Sequence, residues 1–466
     1  MRNIALFAAV VLLAGCTTFQ AKPLNPSSTA SAFEGRTLNN TGLRAFLEKN
    51  LRHPIFPWPP ASWDLRMLTL TAFYYHPDLD VARAAWQVKE AGVITAGERP
   101  NPGAGFTPQY HANPRGLAPW TLSFFLDIPI ETAGRRGYRI ARAGHLSDAA
   151  RMEIADTAWQ VRSRLRKDLL SLYALVKREQ ILQEELELQR KIVRIFRERF
   201  ATGEESQYAL TSSVITMEKT ALSLSSVRKD EIQARVSFAG SMGIPEEALK
   251  GVHISFGSME KVDAGLYSAE VRREALLNRA DLLAKLSEYQ AIQADLRLEI
   301  ARQYPDIHLG PAYTWDQGDN EWSLGAALIL PLLNRNEGPI AEARARRKEK
   351  ASEFIALQAR IIEDTGRAFA GYKGSLKLLE TADSLLARQG KIFRAAEERF
   401  RAGQTDLLAV TEARIELVTA RLSRLDALVT AQESVGRLED AVQKPLNRQD
   451  IFPETAISYQ GAGTKK

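Results

Sequence analysis

Gly103-Ala104-Gly105-Phe106-Thr107-Pro108-Gln109-Tyr110-His111-Ala112-Asn113 has two unlike faces when read as a strand. Ala104, Phe106, Pro108, Tyr110 and Ala112 are apolar, and the residues between them are small or polar. Successive side chains of a strand point to opposite faces, so one face is greasy and the other wet. Trp120 to Ile130 repeats the pattern, with Trp120, Leu122, Phe124, Leu126, Ile128 and Ile130 on one side. Thr121, Ser123 and Asp127 lie on the other, and Phe125 and Pro129 break the alternation. Pro114 to Pro119 between the two runs has hairpin-turn composition. About ten residues is the length with which a tilted strand crosses the hydrocarbon of a bilayer. Near residue 310 a second hairpin follows the same rule. Ile307, Leu309, Pro311, Tyr313 and Trp315 alternate with polar or small residues, Gln317 to Asn320 forms a polar turn, and Trp322 to Leu330 returns. One such hairpin is ordinary on a soluble α+β protein. Two, matched in length, rich in aromatics and set between long helices, point to membrane strands.

No run reaches the roughly 18 apolar residues of a transmembrane helix. Ile4 to Ala14, following Arg2, is too short to span and reads as the core of a secretory signal over residues 1–15. It ends in Leu13-Ala14-Gly15-Cys16, which resembles the bacterial lipobox. Cys16 is the only cysteine, so it cannot form an internal disulfide and is available for acylation. Thr17 after it resembles lipoproteins sent to the outer membrane. Residues 16–64, with Pro54, Pro57, Pro59 and Pro60, read as a lipidated extended arm. The net charge of +6 is spread among interleaved acids and bases on helices, which excludes a nucleic-acid stripe. The histidines and methionines make no ligand pairs, so no metal site and no cofactor are expected. No catalytic cluster or phosphate-binding loop is present, and the chain does not read as an enzyme.

From Leu65 the chain forms a helix interrupted at His76-Pro77 and stopped by Pro100 and Pro102. After the first hairpin (residues 103–130), Tyr138 to Phe200 is free of proline. Leu165, Leu172, Leu186, Val193 and Phe200 fall on seven-residue steps with Glu179 the one break, the mark of coiled-coil packing. The helix turns at Arg199-Phe200-Ala201-Thr202-Gly203 (turn 199–206) and returns from Gln207 to Met242. This first structural repeat covers residues 65–245. A connecting segment (246–268) leads to a second repeat (269–445). That repeat has a helix from Ala269 to Gln303, a hairpin (306–331) and a helix from Pro339 to Phe400 carrying Tyr372, Leu379, Leu386, Phe393 and Phe400 at sevens. A turn at 399–405 and a return from Asp406 to Gln443 follow. Phe200 and Phe400, Gly203 and Gly403, and Pro245 and Pro445 are each 200 apart, while Tyr110 and Tyr313 are 203 apart. Landmarks in so constant a register mean two equivalent halves. A polar tail (446–466) closes the chain.

Four strands cannot close a barrel, and an open sheet edge cannot face lipid. The smallest membrane barrels need about eight strands, so several copies must join in a ring. The expected fold is mainly α with a membrane β-barrel contribution, a duplicated β-hairpin plus long coiled-coil helices assembling as an α/β-barrel channel.

These features together resemble the outer-membrane factors of the TolC type. They are the lipobox ending at Cys16, the duplicated plan, and Arg-Phe-x-x-Gly at 199–203 and 399–403. Pro100-Asn101-Pro102 and Pro129 to Arg136 look closest to the branch with heavy-metal and related efflux channels. The resemblance implies a homotrimer in the outer membrane reaching into the periplasm, with a twelve-stranded barrel and a helical tunnel. It implies a passive exit duct of a tripartite efflux or export system, serving an inner-membrane transporter through a periplasmic adaptor. The adaptor would dock at the turns carrying Arg199, Phe200 and Gly203, and Arg399, Phe400 and Gly403. The family narrows its entrance with acidic side chains after the second turn. Glu412 falls on one such position, but Ala409 occupies the other, and Ala209 stands where an Asp of the closing network is common. Arg135, Arg136 and Arg139 are expected to snorkel at the membrane edge. The rival expectation is a periplasmic coiled-coil structural lipoprotein tethered by Cys16.

Overall fold

The computed structural model describes residues 18–262, 273 and 275–446. The signal peptide, Cys16, the start of the helix expected at Ala269 and all of the tail beyond Leu446 lie outside the described residues.

Two pairs of long helices dominate. Helix α5 (Arg135–Ala201) has 67 residues, about 100 Å at 1.5 Å per residue. It turns back as α6 (Gln207–Met242), and α8 (Glu337–Arg401) turns back as α9 (Leu407–Val442). The expected heptad residues Leu165, Leu172, Leu186 and Val193 are buried, as is Tyr372, and Phe200 and Phe400 at the turns are exposed. Glu179, the break in the first heptad run, bonds Arg228 on the return helix at 2.9 Å. Against the long helices pack the shorter α3 (Leu65–Tyr75), α4 (Pro77–Gly97) and α7 (Ala280–Ala301). The helices α4, α5, α7 and α8 pack in that order side by side. The strands β1 (Gly103–Tyr110), β2 (Trp120–Ile130), β3 (Ile307–Asp316) and β4 (Asp319–Leu328) continue them in the same order as one antiparallel sheet.

Both halves break their upper helix. The first break, at His76 before Pro77, follows from proline's missing donor. The second was not expected. Arg279 is extended (φ −67°, ψ 128°) between helical residues 275–278 and α7, although no proline follows. Its guanidinium donates to the Asp440 and Ala441 carbonyls at the end of α9 and pairs with Asp281. Tertiary bonds replace the local signal. The second hairpin also turns more tightly than its polar run suggests: Gln317 and Gly318 alone, both at positive φ, connect β3 to β4.

The arm is a correction. It is not extended: α1 (Pro26–Glu34) and α2 (Thr41–Leu51) are capped by the Asn25 and Asn40 side chains. Leu43, Phe46, Leu47 and Trp63 are buried against α3, α5 and α6 in the largest core. Trp63 pairs with the connecting segment, donating to His253 and accepting from Ser255 at 2.9 Å each. Arg36 donates to the carbonyls of Tyr75 and Gly243 at 2.7 and 2.6 Å. Gly243 itself sits at φ 72°, where a Cβ would lie 2.8 Å from the Tyr75 carbonyl oxygen. The prolines of the arm hid these contacts, of which those of Arg36 to Gly243 and of Trp63 to the connecting segment join residues some 200 apart.

A buried polar cluster fastens α5 to α9. Arg162 donates to Glu439 at 3.0 Å and Arg166 lies 3.4 Å from the same carboxylate. Glu439 also accepts from the Leu446 amide at 3.0 Å. Asp440 takes Trp159 Nε1 and Ser163 Oγ, and Arg166 reaches the Gln432 carbonyl and side chain. Burial pushes Glu439 upward, but the two guanidiniums outweigh it and hold the carboxyl below its usual range.

Candidate functional site

The sheet sorts its residues by face. Phe106 pairs with Phe124, Phe124 with Tyr313 and Tyr313 with Trp322, so one apolar row crosses all four strands. Leu122, Trp315 and Asn320 lie in the next row of that face. The opposite face carries Thr107, Ser123, Thr314 and Glu321 in one row, with Ser123 and Thr314 hydroxyls 3.2 Å apart. Thr121 donates to Asp316 and lies 2.9 Å from His111, while His308 and Asp127 meet at 2.9 Å. The Ser123–Thr314, Thr121–Asp316 and His308–Asp127 bonds join the two hairpins and were not legible from either alone. Phe125, the exception to the alternation, is explained by its neighbour. Its ring lies over Gly105, where a built Cβ would fall 2.3 Å away. Phe106, Trp120, Phe124, Trp322 and Leu324 remain exposed in one chain. Among the described residues, strands β1 and β4 each have one edge without a partner.

Below the sheet the strand-to-helix junctions are held by arginines, which corrects the snorkelling expectation. Arg135 pairs with Asp306 and donates to the Tyr304 carbonyl at 3.2 Å. Arg139 grips Glu131 with both terminal nitrogens and reaches the Ala96 and Glu98 carbonyls. Its hydrogen bonds hold the Glu131 carboxyl below the usual range. Arg136 donates to the Gly97 carbonyl at 2.6 Å. These side chains tie strands and helices together instead of reaching for headgroups.

At the far end the two turns are near copies. Gly203 (φ 77°) donates to the Phe200 carbonyl at 3.1 Å, and Glu204 to Arg199 at 2.8 Å. Gly403 (φ 68°) donates to Phe400 at 3.0 Å, and Gln404 to Arg399 at 2.9 Å. Ser206 and Asp406 cap the return helices through the Ala209 and Ala409 amides, at 3.2 and 2.9 Å. Asp406 has a second task. Its other oxygen takes Arg199 at 2.5 Å, so the turns of one chain are clamped together. The Ala409 amide, then Arg199, hold its carboxyl low. The signal for this pair was an Asp three residues past the turn glycine where the first half has Ser. Glu412 is exposed one turn into α9.

Residues 271–442 match the family described as Outer membrane efflux protein. The pyoverdine export outer membrane protein OpmQ of Pseudomonas aeruginosa is 24% identical over 303 residues, 60% of this chain and 62% of that protein. The chain therefore spans somewhat under two thirds of that relative. The cobalt-zinc-cadmium resistance protein CzcC of Cupriavidus metallidurans is 22% identical over 306 residues, 65% of this chain and 72% of that protein. Among solved structures, the outer-membrane channel OprN superposes with a TM-score of 0.67 at 18% identity, covering 92% of this chain and 97% of that one. That likeness establishes the fold.

Proposed function

We propose that this chain, whose residues 271–442 match the outer membrane efflux protein family, belongs to that family and is the outer-membrane duct of a tripartite efflux or export system. The observation that carries the reading is the four-stranded sheet with an apolar row on one face, two open edges and long helices continuing it below. Unpaired backbone cannot face lipid. Three copies joined β4 to β1 give a closed barrel of twelve strands, within the range of membrane barrels. The apolar row faces lipid and the polar rows face a water-filled lumen. The helices α4, α5, α7 and α8 of three chains extend the wall into the periplasm, where Cys16 adds a lipid anchor.

The turns around Arg199, Phe200 and Gly203, and around Arg399, Phe400 and Gly403, present two similar exposed knobs per chain to a periplasmic adaptor. Glu412 lies just inside the entrance they surround. Transport is passive along the lumen, and the energy comes from the inner-membrane transporter. A periplasmic spacer lipoprotein would leave the apolar row of the sheet without an environment. The test is single-channel recording of the purified full-length protein in planar bilayers, with and without its adaptor. A pore whose opening rises with adaptor is expected, and no conductance in either condition refutes the duct.

A further inference from the structure

The polar face of the sheet continues onto the helices below it. Glu131 extends the polar alternation of Asp127 on β2, and Asp306 precedes His308 in the same alternation on β3. Arg139 binds Glu131 and Arg135 binds Asp306. Residues 135, 139, 142 and 146 follow at steps of four, three and four, the spacing of one helical face. That face of α5 is therefore the one beneath the polar side of the sheet, the side turned from lipid.

Over it, α4 and α7 close into the walls of a cleft of about 390 Å³. Its charged lining is Lys89 from α4, Arg139 and Arg142 from α5, and Arg302 from α7, with Leu146 and Leu298 as apolar floor. No carboxylate lines it. Glu131, Asp295 and Glu299 hold Arg139, Arg142 and Arg302 from outside the cleft. Lys89 has no ion-pair partner among the described residues. The arginines are thus fixed in place by these partners where they line the cleft, and Lys89 is the lining cation held by none of them. Convergent cations on low-dielectric walls raise the local concentration of anions, and guanidinium forks suit carboxylate and phosphate oxygens.

We infer that this cleft is an anion station on the conduction path, receiving carboxylate- or phosphate-type groups of the exported solute, so that the duct favours anions. The inference rests on the duct reading above and narrows its substrate class. Three chains place twelve such cations in one band just below the barrel.

The experiment is the reversal potential of the full-length channel in a KCl gradient, for the wild type and for the double variant Lys89→Glu, Arg302→Glu. Trimer migration and unit conductance check that the variant assembles. The wild type is expected to prefer chloride, and the variant to shift chloride-over-potassium permeability toward cations by about threefold or more. Inorganic phosphate should reduce wild-type current and lose that effect in the variant. Lys89→Glu alone disturbs no ion pair, so it should shift selectivity in the same direction even if the double variant fails to assemble. A cation-preferring wild type, or a selectivity unmoved by Lys89→Glu, overturns the anion station and leaves the duct standing. Absence of any pore sinks both.

Discussion

Replacing Glu439 by Gln should destabilise the protein through the buried cluster joining α5 to α9. The carboxylate lies 3.0 Å from Arg162 and 3.4 Å from Arg166, and the three side chains are 5, 1 and 8% exposed. Removing one partner of a buried ion pair costs roughly 3–5 kcal/mol, because the desolvated charge that stays behind has lost its compensation. At about 2.1 cal/mol/K per residue, a chain of 466 residues melts with an entropy near 1 kcal/mol/K, so the melting temperature should fall by about 3–5 °C. Circular dichroism of the detergent-solubilised protein at 222 nm reads this directly. The triple variant Glu439→Leu, Arg162→Met, Arg166→Met should recover most of the loss, since an apolar replacement of similar volume is often neutral or stabilising.

Acid supplies a second axis to the same experiment. Glu439 titrates below its ordinary value in the folded protein, so its contribution is complete above about pH 4.3 and is lost as pH falls through the folded value. Burial raises Asp156, Asp168 and Asp440 instead. Their contribution has the opposite sign, present below about pH 3.9 and lost as pH rises through the raised values. The wild type should therefore gain stability as pH falls from neutral through the raised values of these three groups. Glu439→Gln should show a smaller gain, because the Glu439 charge helps to raise Asp440, and should lack this group's share of the loss at lower pH. A Glu439→Gln protein that melts with the wild type, or a triple variant that melts as low as Glu439→Gln, refutes the reasoning.

Phe124→Lys should cost about 2–4 kcal/mol per chain if its row faces lipid, and deplete the heat-modifiable species in outer-membrane fractions. Ser123→Lys, one residue along and on the polar face, should assemble normally. Asp406→Ala removes the cap on the Ala409 amide, worth about 1 kcal/mol, and should speed hydrogen exchange there about fivefold. Asp406→Ser keeps the cap and loses only the exposed Arg199 pair, worth up to about 1 kcal/mol. The separation shows in whether exchange in turn 199–206 responds along with α9. Phe200→Ala should weaken adaptor binding in a surface-immobilised assay while leaving helical content unchanged, because the ring is exposed and terminates no core.

Local chemistry made the plan of the chain readable. Alternation placed β2 and β3 to the residue, because a strand with one face in lipid and one in water must alternate. Met242, where the return helix ends, is marked by Gly243, whose left-handed φ and close approach to Tyr75 only glycine tolerates. Duplication then supplied each landmark twice, and the open edges of a four-stranded sheet demanded further copies. What the tertiary structure alone decided are contacts between different elements, several of them 161 to 207 residues apart. The break at Arg279, the clamp from Arg199 to Asp406 and the folding of the arm against α3, α5 and α6 depend on such contacts. So do the four cations that meet from three helices beneath the sheet. None of these has a period or a composition of its own, because the energy of an ion pair or a buried ring depends on distance in space, and sequence order records only distance along the chain.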